Sequence, residues 1–388
     1  MKKRIGPLVL MLVTCVNAVV SGAVKADEET TAGTHSDPTS QILETVRVKH
    51  KLPALAAVVV VDGKIVATNA VGFRKDGGTE AVTVNDRFHI GSVTKSMTAT
   101  VAAMLVEQGK ISWTTTIGEL LSDGTNAIHP EYRDVMLEQL LAHRGGAPGT
   151  APKDLWSKAW EAGGPPEEQR LQFVKGLLAR KPEAMPGARY IYSNQGYAIA
   201  GVMLEKATGK SWEELMRTLL FEPIGMKSAG FGAPASPGNV DQPWGHTRSV
   251  FGIRPVPPGP GADNPPAIGP AGTVHCSLPD LARYILVHLS GERGTPELLS
   301  AESFKKLHTA VGEGDYALGW VVLQREWAGG RALMSNGSNT MFYIVIWMAP
   351  ARNCAVITAT NIGGDEAFAG CDEAAWRLIG QFFPAGDN

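Results

Sequence analysis

Strand-like sequence lies at both ends of this chain and helical sequence lies between, and that order is what most constrains the fold. Near the amino end, residues 55–61 and 64–71 are Val-rich, largely apolar runs joined by Asp62-Gly63, the pair that favours the positive φ of a two-residue type I′ hairpin. Near the carboxyl end, residues 341–348 and 354–360 are two more such runs, separated by the turn 349–353. In between, Val93, Met97, Val101, Met104 and Leu105 keep one helical face apolar from Ser92 until Gly109 can end it. A second helix is predicted from about Gln195 to Lys206, stopped by Gly209. Ser211-x-x-Glu214 then opens a third as a capping box, and a further helix is expected over 278–289. A sheet whose strands come from both ends must close around the helical middle. The chain therefore predicts one composite α/β (α+β) domain, and it carries no internal repeat.

Composition narrows the class. The 388 residues are 44% hydrophobic and 19% charged, ordinary globular usage that excludes wholesale disorder. Lys and Arg total 36 against 38 Asp and Glu, and no basic block occurs beyond the first four positions, so nucleic acid is not an expected partner. Met1-Lys2-Lys3-Arg4, an apolar stretch from Leu8 to Val20, and Val24-Lys25-Ala26 together read as a secretory signal over 1–26. Its removal takes away Lys2, Lys3, Arg4 and Lys25 and no anion, moving the formal charge from -2 to -6. Pro7, Asn17 and Ser21-Gly22 interrupt the stretch before the ~20 apolar residues of a span, so no stable membrane span is expected after cleavage. Thr14 in place of a small residue before Cys15 disfavours lipid attachment. An exported protein, periplasmic or secreted, is expected. Residues 27–41 read as a flexible leader, and 42–388 as the folded domain.

Beyond the signal stand Cys276, Cys354 and Cys371, an odd number for which buried thiols are the default. No C-x-x-C or H-E-x-x-H spacing supports a metal site, and no G-x-S-x-G supports a nucleophile elbow. Residues 232–270 are rich in Pro and Gly and predict a long irregular excursion of the kind that often rims a site.

Three short segments carry chemistry. Ser92-Val93-Thr94-Lys95 puts an amine one helical turn from a hydroxyl, where a neutral Lys can act as base for a nucleophile. The pattern alone is weak, since Ser303-Phe304-Lys305-Lys306 also fits. Ser92, however, opens an apolar helix where a Lys is costly without partners, whereas Ser303 sits among charges on a solvated face. Tyr192-Ser193-Asn194 follows Pro186-Gly187 and precedes a helix, pairing a proton carrier with an amide. Ser335-Asn336-Gly337-Ser338, taken alone, is simply a β-turn. His143 and His246 are bases only by residue type: His143 is expected to pack in the turn 144–146, and Trp244 and His246 to line the rim.

In this order and with their flanks, the three segments resemble the serine β-lactamase and penicillin-binding protein superfamily, nearest its class C β-lactamase-related and esterase-like branch. Supporting stretches include Phe88-x-Ile-Gly-Ser-Val-Thr-Lys-Ser96, Leu140-Leu-Ala-His-Arg-Gly-Gly146, Pro186-Gly-x-x-Tyr-x-Tyr-Ser-Asn-Gln-Gly196, Gly269-Pro-Ala-Gly272 and Tyr316-x-x-Gly-Trp320. The resemblance implies a β-lactamase-like fold, an antiparallel sheet flanked by helices plus an all-helical subdomain, with the site between them. The α/β part would take about 42–90 and 275–388, and the helical part about 91–274. It implies Ser92 as acylated nucleophile, Lys95 as base, Tyr192 as proton relay and Asn194 as substrate-orienting amide. The backbone N–H groups of Ser92 and Ser338 would form the oxyanion hole, and no cofactor is implied. The departure is in the third segment, where the family has Lys-Thr-Gly or His-x-Gly and this chain has Ser335-Asn336-Gly337. The cation that engages a substrate carboxylate is missing, with Arg331 the nearest replacement in sequence. The expected substrate is a small-molecule carboxylic ester or amide. A β-lactam or D-Ala-D-Ala peptide is the runner-up, and a catalytically silent binding protein the alternative of another class.

Overall fold

The computed structural model describes residues 37–122 and 127–384. Its centre is a six-stranded antiparallel sheet built from β1 (Ala54–Val61), β2 (Lys64–Gly72), β8 (Val321–Arg325), β9 (Gly330–Ser338), β10 (Tyr343–Ala349) and β11 (Cys354–Thr360). The strand order is β2-β1-β11-β10-β9-β8, so β1 from the amino end pairs β11 from the carboxyl end. The hairpin β1–β2 turns at Asp62 and Gly63, with φ of 49° and 72°, both in the left-handed region that a type I′ turn requires.

Alternation along the strands explains why they read as nearly continuous apolar runs. On β1, Ala54, Ala56, Val58 and Val60 face one core, and Leu55, Ala57 and Val59 face another. Helices Pro38–Lys49 and Asp365–Phe382 cover the second face, contributing Leu43, Val46, Ala374 and Leu378. Helix Leu278–Glu292 covers the first, and the helical region packs beyond it. Both faces of the central strands β1 and β11 are therefore dry, while the edge strands β2 and β8 stay partly exposed.

Smaller sheets stitch the helical region on. β3 (Arg87–His89), β7 (Val274–Ser277) and β4 (Gly230–Phe231) form one in the order β3-β7-β4, and β5 (Gly245–Ser249) pairs β6 (Gly252–Val256). Strands thus occur within 91–274, which is not the all-helical segment expected. The excursion 232–270 also holds the hairpin β5–β6, turning at the exposed Val250-Phe251. Its Pro-rich flanks mask a short alternating pattern.

Helix Thr94–Glu107 is buried on every side, not on one face: Thr94, Lys95, Ser96, Thr98 and Thr100 are as dry as Met97 and Val101. Local hydrogen bonds offset the cost of burying the hydroxyls, Ser96 Oγ donating to Val93 O and Thr98 Oγ1 to Pro270 O, each at 2.8 Å. A second anchor is the fully buried Arg170, held by Glu205 and Glu213 at 2.9 and 2.8 Å. Its Nη1 donates to Pro266 O at 3.0 Å. Removing one partner of such a network costs about 3–5 kcal/mol, and here it would loosen the segment that runs into Ala271.

Three expectations need correction or fall outside the described residues. Of the expected leader 27–41, residues 27–36 lie outside the described residues and 37–41 are ordered: Asp37 accepts from the Thr39 N–H at 3.2 Å and Pro38 opens a helix, so these polar residues are capping chemistry. The signal 1–26, with Cys15, lies outside the described residues. Ser335–Ser338 is not a turn but the end of β9, paired with β10 from Tyr343↔Ser338 to Ile346↔Ser335. Cys276, Cys354 and Cys371 are buried and free. Among the described residues no helix is long and apolar enough to cross a membrane.

Candidate active site

Ser92 sits in the 3₁₀ turn Gly91–Val93 between β3 and helix Thr94–Glu107. Gly91 has φ +48°, and a Cβ there would stand 2.3 Å from Ser338 N. Gly337 is equally constrained, since its Cβ would stand 2.1 Å from Ile90 O and 2.6 Å from Ser92 N. Two glycines thus let the end of β9 pass against the turn of Ser92, bringing the backbone amides of Ser92 and Ser338 into one small region. The turn is braced from behind, where His89 Nδ1 accepts from the Gly91 N–H at 3.0 Å.

Tyr192 and Asn194 arrive from the mouth of helix Asn194–Thr208. The residue between them is the cap: Ser193 Oγ accepts from the Gly196 N–H at 3.0 Å and donates to Pro148 O at 2.7 Å. With Ser193 pinned, its neighbours meet the Ser-Lys pair. Tyr192 Oη donates to Ser92 Oγ at 2.6 Å, and Lys95 Nζ lies 3.0 Å from the same oxygen. Lys95 Nζ also donates to Asn194 Oδ1 at 2.7 Å and to Ala271 O at 2.8 Å. Ala271 is held in turn by helix Asn194–Thr208, where Gly201 makes room for Pro270: a Cβ there would stand 2.4 Å from the proline ring.

The electrostatics follow from burial. Lys95 is 1% exposed, and desolvation pushes its ammonium below the ordinary lysine range against the pull of Tyr192. Burial raises the Tyr192 phenol, but the Lys95 charge and hydrogen bonding with Lys95 and Ser92 outweigh it and leave the phenol below its usual value. The two groups titrate as a coupled pair.

A cavity of about 250 Å³ opens over these atoms, lined also by Tyr316, Gly319, Val321, Met334 and Tyr343. Ser335 is on its wall, 5% exposed, with Oγ donating to Gly319 O at 3.3 Å. Asn336 Nδ2 donates to Tyr343 Oη at 2.9 Å. Ser338 Oγ is turned away into the 338–342 turn, donating to Phe342 O at 2.6 Å, so Ser338 offers the cleft its backbone and not its hydroxyl. Asn194 orients Lys95 and does not line the cavity.

Arg331 does not replace the missing cation. It lies toward the other end of β9, ion-paired with Glu292 and donating to His308 O at 3.4 Å. Among the described residues lining the cavity, Lys95 is the one cationic side chain. His246 is not at the rim either: it is fully buried, its Nδ1 on Asn361 O at 2.7 Å and its Nε2 accepting from the Asp76 N–H at 2.9 Å. Trp244 Nε1 donates to Asn239 O under the Lys75 ammonium, and Trp244 is not part of the cleft wall. His143 is buried beneath Tyr192, ring centroids 4.5 Å apart, with Nδ1 accepting from the Ser193 N–H at 3.1 Å. Burial, and to a lesser degree a charge on Lys95, push its imidazole well below the ordinary histidine range. Ser303 and Lys306 are not a pair: Ser303 Oγ donates to Glu107 at 2.5 Å and Lys306 binds Glu138.

Sequence reasoning missed the Ala271 carbonyl, a backbone acceptor invisible to residue type, although Gly269-Pro-Ala-Gly272 marked the place. It gave no role to Tyr316, although Tyr316-x-x-Gly-Trp320 marked that place too, and it missed Tyr343. The position of Tyr343, opposite Ser338 in a neighbouring strand, was the available signal.

Comparison with known proteins agrees with the fold. The family model described as "Beta-lactamase" matches residues 32–381. The chain is 26% identical over 332 residues to "Unguisins hydrolase ungD'" of Aspergillus campestris, covering 81% of this chain and 59% of that one. It is 28% identical over 293 residues to "Penicillin-binding protein 4" of Amycolatopsis lactamdurans, covering 75% and 73%. It thus spans only part of these relatives' length. Among solved structures, the octameric penicillin-binding protein homologue from Pyrococcus abyssi superposes with a TM-score of 0.73 at 24% identity, over 88% of this chain and 77% of that one.

Proposed function

The chain belongs to the β-lactamase family of serine hydrolases, and we propose that within it this protein acts through an acyl-enzyme on Ser92, with uncharged carboxylic esters or amides as substrates. One observation carries the reading. Asn194 Oδ1 and Ala271 O are acceptors only in this arrangement, so each claims a proton of Lys95 Nζ. A neutral amine has two. Its lone pair is then left facing Ser92 Oγ at 3.0 Å, the geometry of a general base.

The chemistry follows. Lys95 takes the Ser92 proton as Oγ adds to the substrate carbonyl, and the oxyanion forms against the backbone amides of Ser92 and Ser338. Tyr192 Oη, at 2.6 Å from Ser92 Oγ, hands a proton to the departing alcohol or amine. Water then attacks the acyl-enzyme by the reverse path. The neutral Ser335 supports the substrate class, because with Lys95 uncharged as the base a carboxylate would meet no cation among the described residues lining the cleft. The signal-like sequence of residues 1–26 supports an exported, periplasmic or secreted protein. The second reading, a β-lactam or D-Ala-D-Ala substrate, is favoured by the relative named as a penicillin-binding protein. A parallel assay of a short-chain aryl ester and a chromogenic cephalosporin decides: the ester is expected to turn over with the larger kcat/KM, and a larger value for the cephalosporin overturns the substrate class. A silent binding protein would turn over neither and would take no fluorophosphonate at Ser92.

A further inference from the structure

Where helix Leu137–Leu141 ends, the chain closes a Schellman motif: the Arg144 N–H donates to Gln139 O at 2.7 Å and the His143 N–H to Leu140 O at 3.2 Å. The left-handed position of that motif usually holds Gly, because a Cβ is strained there. This chain has His143 in it, at φ +59°. Two costs attend that residue. The backbone is strained, and the imidazole, 2% exposed, buries Nε2 without a hydrogen-bond partner. Gly would carry neither cost.

What the histidine supplies in return lies at Tyr192. The N–H groups of the residues on either side of Tyr192 both end on His143: Ile191 N–H donates to its carbonyl at 2.8 Å, and Ser193 N–H to its Nδ1 at 3.1 Å. An Nδ1 that accepts carries no proton, so the ring is the neutral tautomer with its proton on Nε2. The ring lies 4.5 Å from that of Tyr192, and 4.7 and 5.2 Å from those of Tyr316 and Tyr197. Tyr197 is itself anchored, its Oη donating to Leu141 O at 2.7 Å.

Tyr192 needs such a hold. It is 42% exposed, so solvent meets part of its ring, yet Oη must stay 2.6 Å from Ser92 Oγ to pass a proton. His143 does not line the cleft and can act on the chemistry only through its neighbours. We propose that His143 is the positioning residue of Tyr192: its carbonyl and Nδ1 fix the backbone on both sides of the tyrosine, and its ring backs the phenol. The inference rests on Tyr192 acting as the relay of the mechanism above.

A double-mutant cycle on kcat/KM for p-nitrophenyl acetate tests it. His143→Leu removes the Nδ1 acceptor at similar bulk and should cost roughly 10- to 100-fold, the order expected for a displacement of ~1 Å in a reacting group. In a Tyr192→Phe background, with no hydroxyl left to place, the same substitution should cost less than about 3-fold. His143→Asn should recover most of the loss, because Asn tolerates a positive φ and its Oδ1 can accept from the Ser193 N–H. Should His143→Leu fail to fold, His143→Gly, which suits that backbone, takes its place in the cycle. Equal losses in the two backgrounds, a loss of less than about 3-fold in the otherwise wild-type chain, or an Asn variant no faster than the Leu or Gly one overturns the inference while the relay stands. Tyr192→Phe at the wild-type rate overturns the relay itself, and the inference falls with it.

Discussion

Gly337→Ala tests whether the close passage of β9 against the Ser92 turn matters to the chemistry. The added Cβ would stand 2.1 Å from Ile90 O, 2.6 Å from Ser92 N and 2.8 Å from Val93 N, all backbone atoms that no side-chain rotation can clear. Restoring an ordinary contact of about 3.4 Å to Ile90 O requires the strand and the turn to part by about 1.3 Å, and a displacement of ~1 Å in a reacting geometry can cost ~10²-fold. Loss of an oxyanion donor costs a similar ~10²- to 10³-fold in kcat. The expected outcome is therefore a fall of roughly 10²- to 10³-fold in kcat for an aryl acetate, with a parallel fall in the rate of fluorophosphonate labelling. Both cores away from the turn keep their packing, so circular dichroism should show a folded protein. Gly380→Ala is the control, because it sits in helix Asp365–Phe382 with nothing within 4 Å and Ala is the better helix former. A Gly337→Ala enzyme within a few-fold of the wild type would refute the reasoning.

Three further outcomes are expected. Lys95→Ala should cost more rate than Tyr192→Phe, because one removes the base and the other a relay, each such group supplying ~10²- to 10⁴-fold; steady-state kinetics on one neutral ester compares them, and a reversed order makes Tyr192 the base. The base must be unprotonated, so kcat/KM should rise with pH through an apparent pKa below the ordinary lysine value. Since Tyr192 pulls the Lys95 pKa upward, Tyr192→Phe should move that rise to lower pH, and a move to higher pH contradicts the assignment. Ser335→Lys should shift the kcat/KM ratio toward a cephalosporin by roughly 10- to 100-fold, the worth of a charge-assisted bond to a carboxylate. The gain should fade with salt and leave a neutral ester unaffected.

What could be read in the sequence was local. Asp62-Gly63 specified its hairpin because the required φ belongs to those two residues and nothing distant alters it. Gly209 likewise ends its helix at φ +73°. The Ser92, Lys95, Tyr192 and Asn194 convergence was legible through the resemblance, and the structure brings the four side chains together. The failures were those of residue type without direction. Arg331 was four residues from Ser335 in sequence, yet along a strand of ~3.4 Å per residue that is well over 10 Å, and Glu292 had claimed it. His246 looked like a rim base, but both of its nitrogens serve the backbone of Asn361 and Asp76. The strands of the excursion were hidden by their Pro-rich flanks, and the third partner of Lys95 is a carbonyl that any residue could supply.

The central claim, that Ser92 carries the acyl group, is tested most directly by trapping it. Wild-type protein quenched in acid during turnover of p-nitrophenyl acetate, then digested and mapped by mass spectrometry, should carry one acetyl group on the peptide holding Ser92, on Ser92 Oγ itself. Ser92→Ala should carry none and turn over neither ester nor cephalosporin. Acetyl found on another serine, or undiminished turnover by Ser92→Ala, would contradict the account.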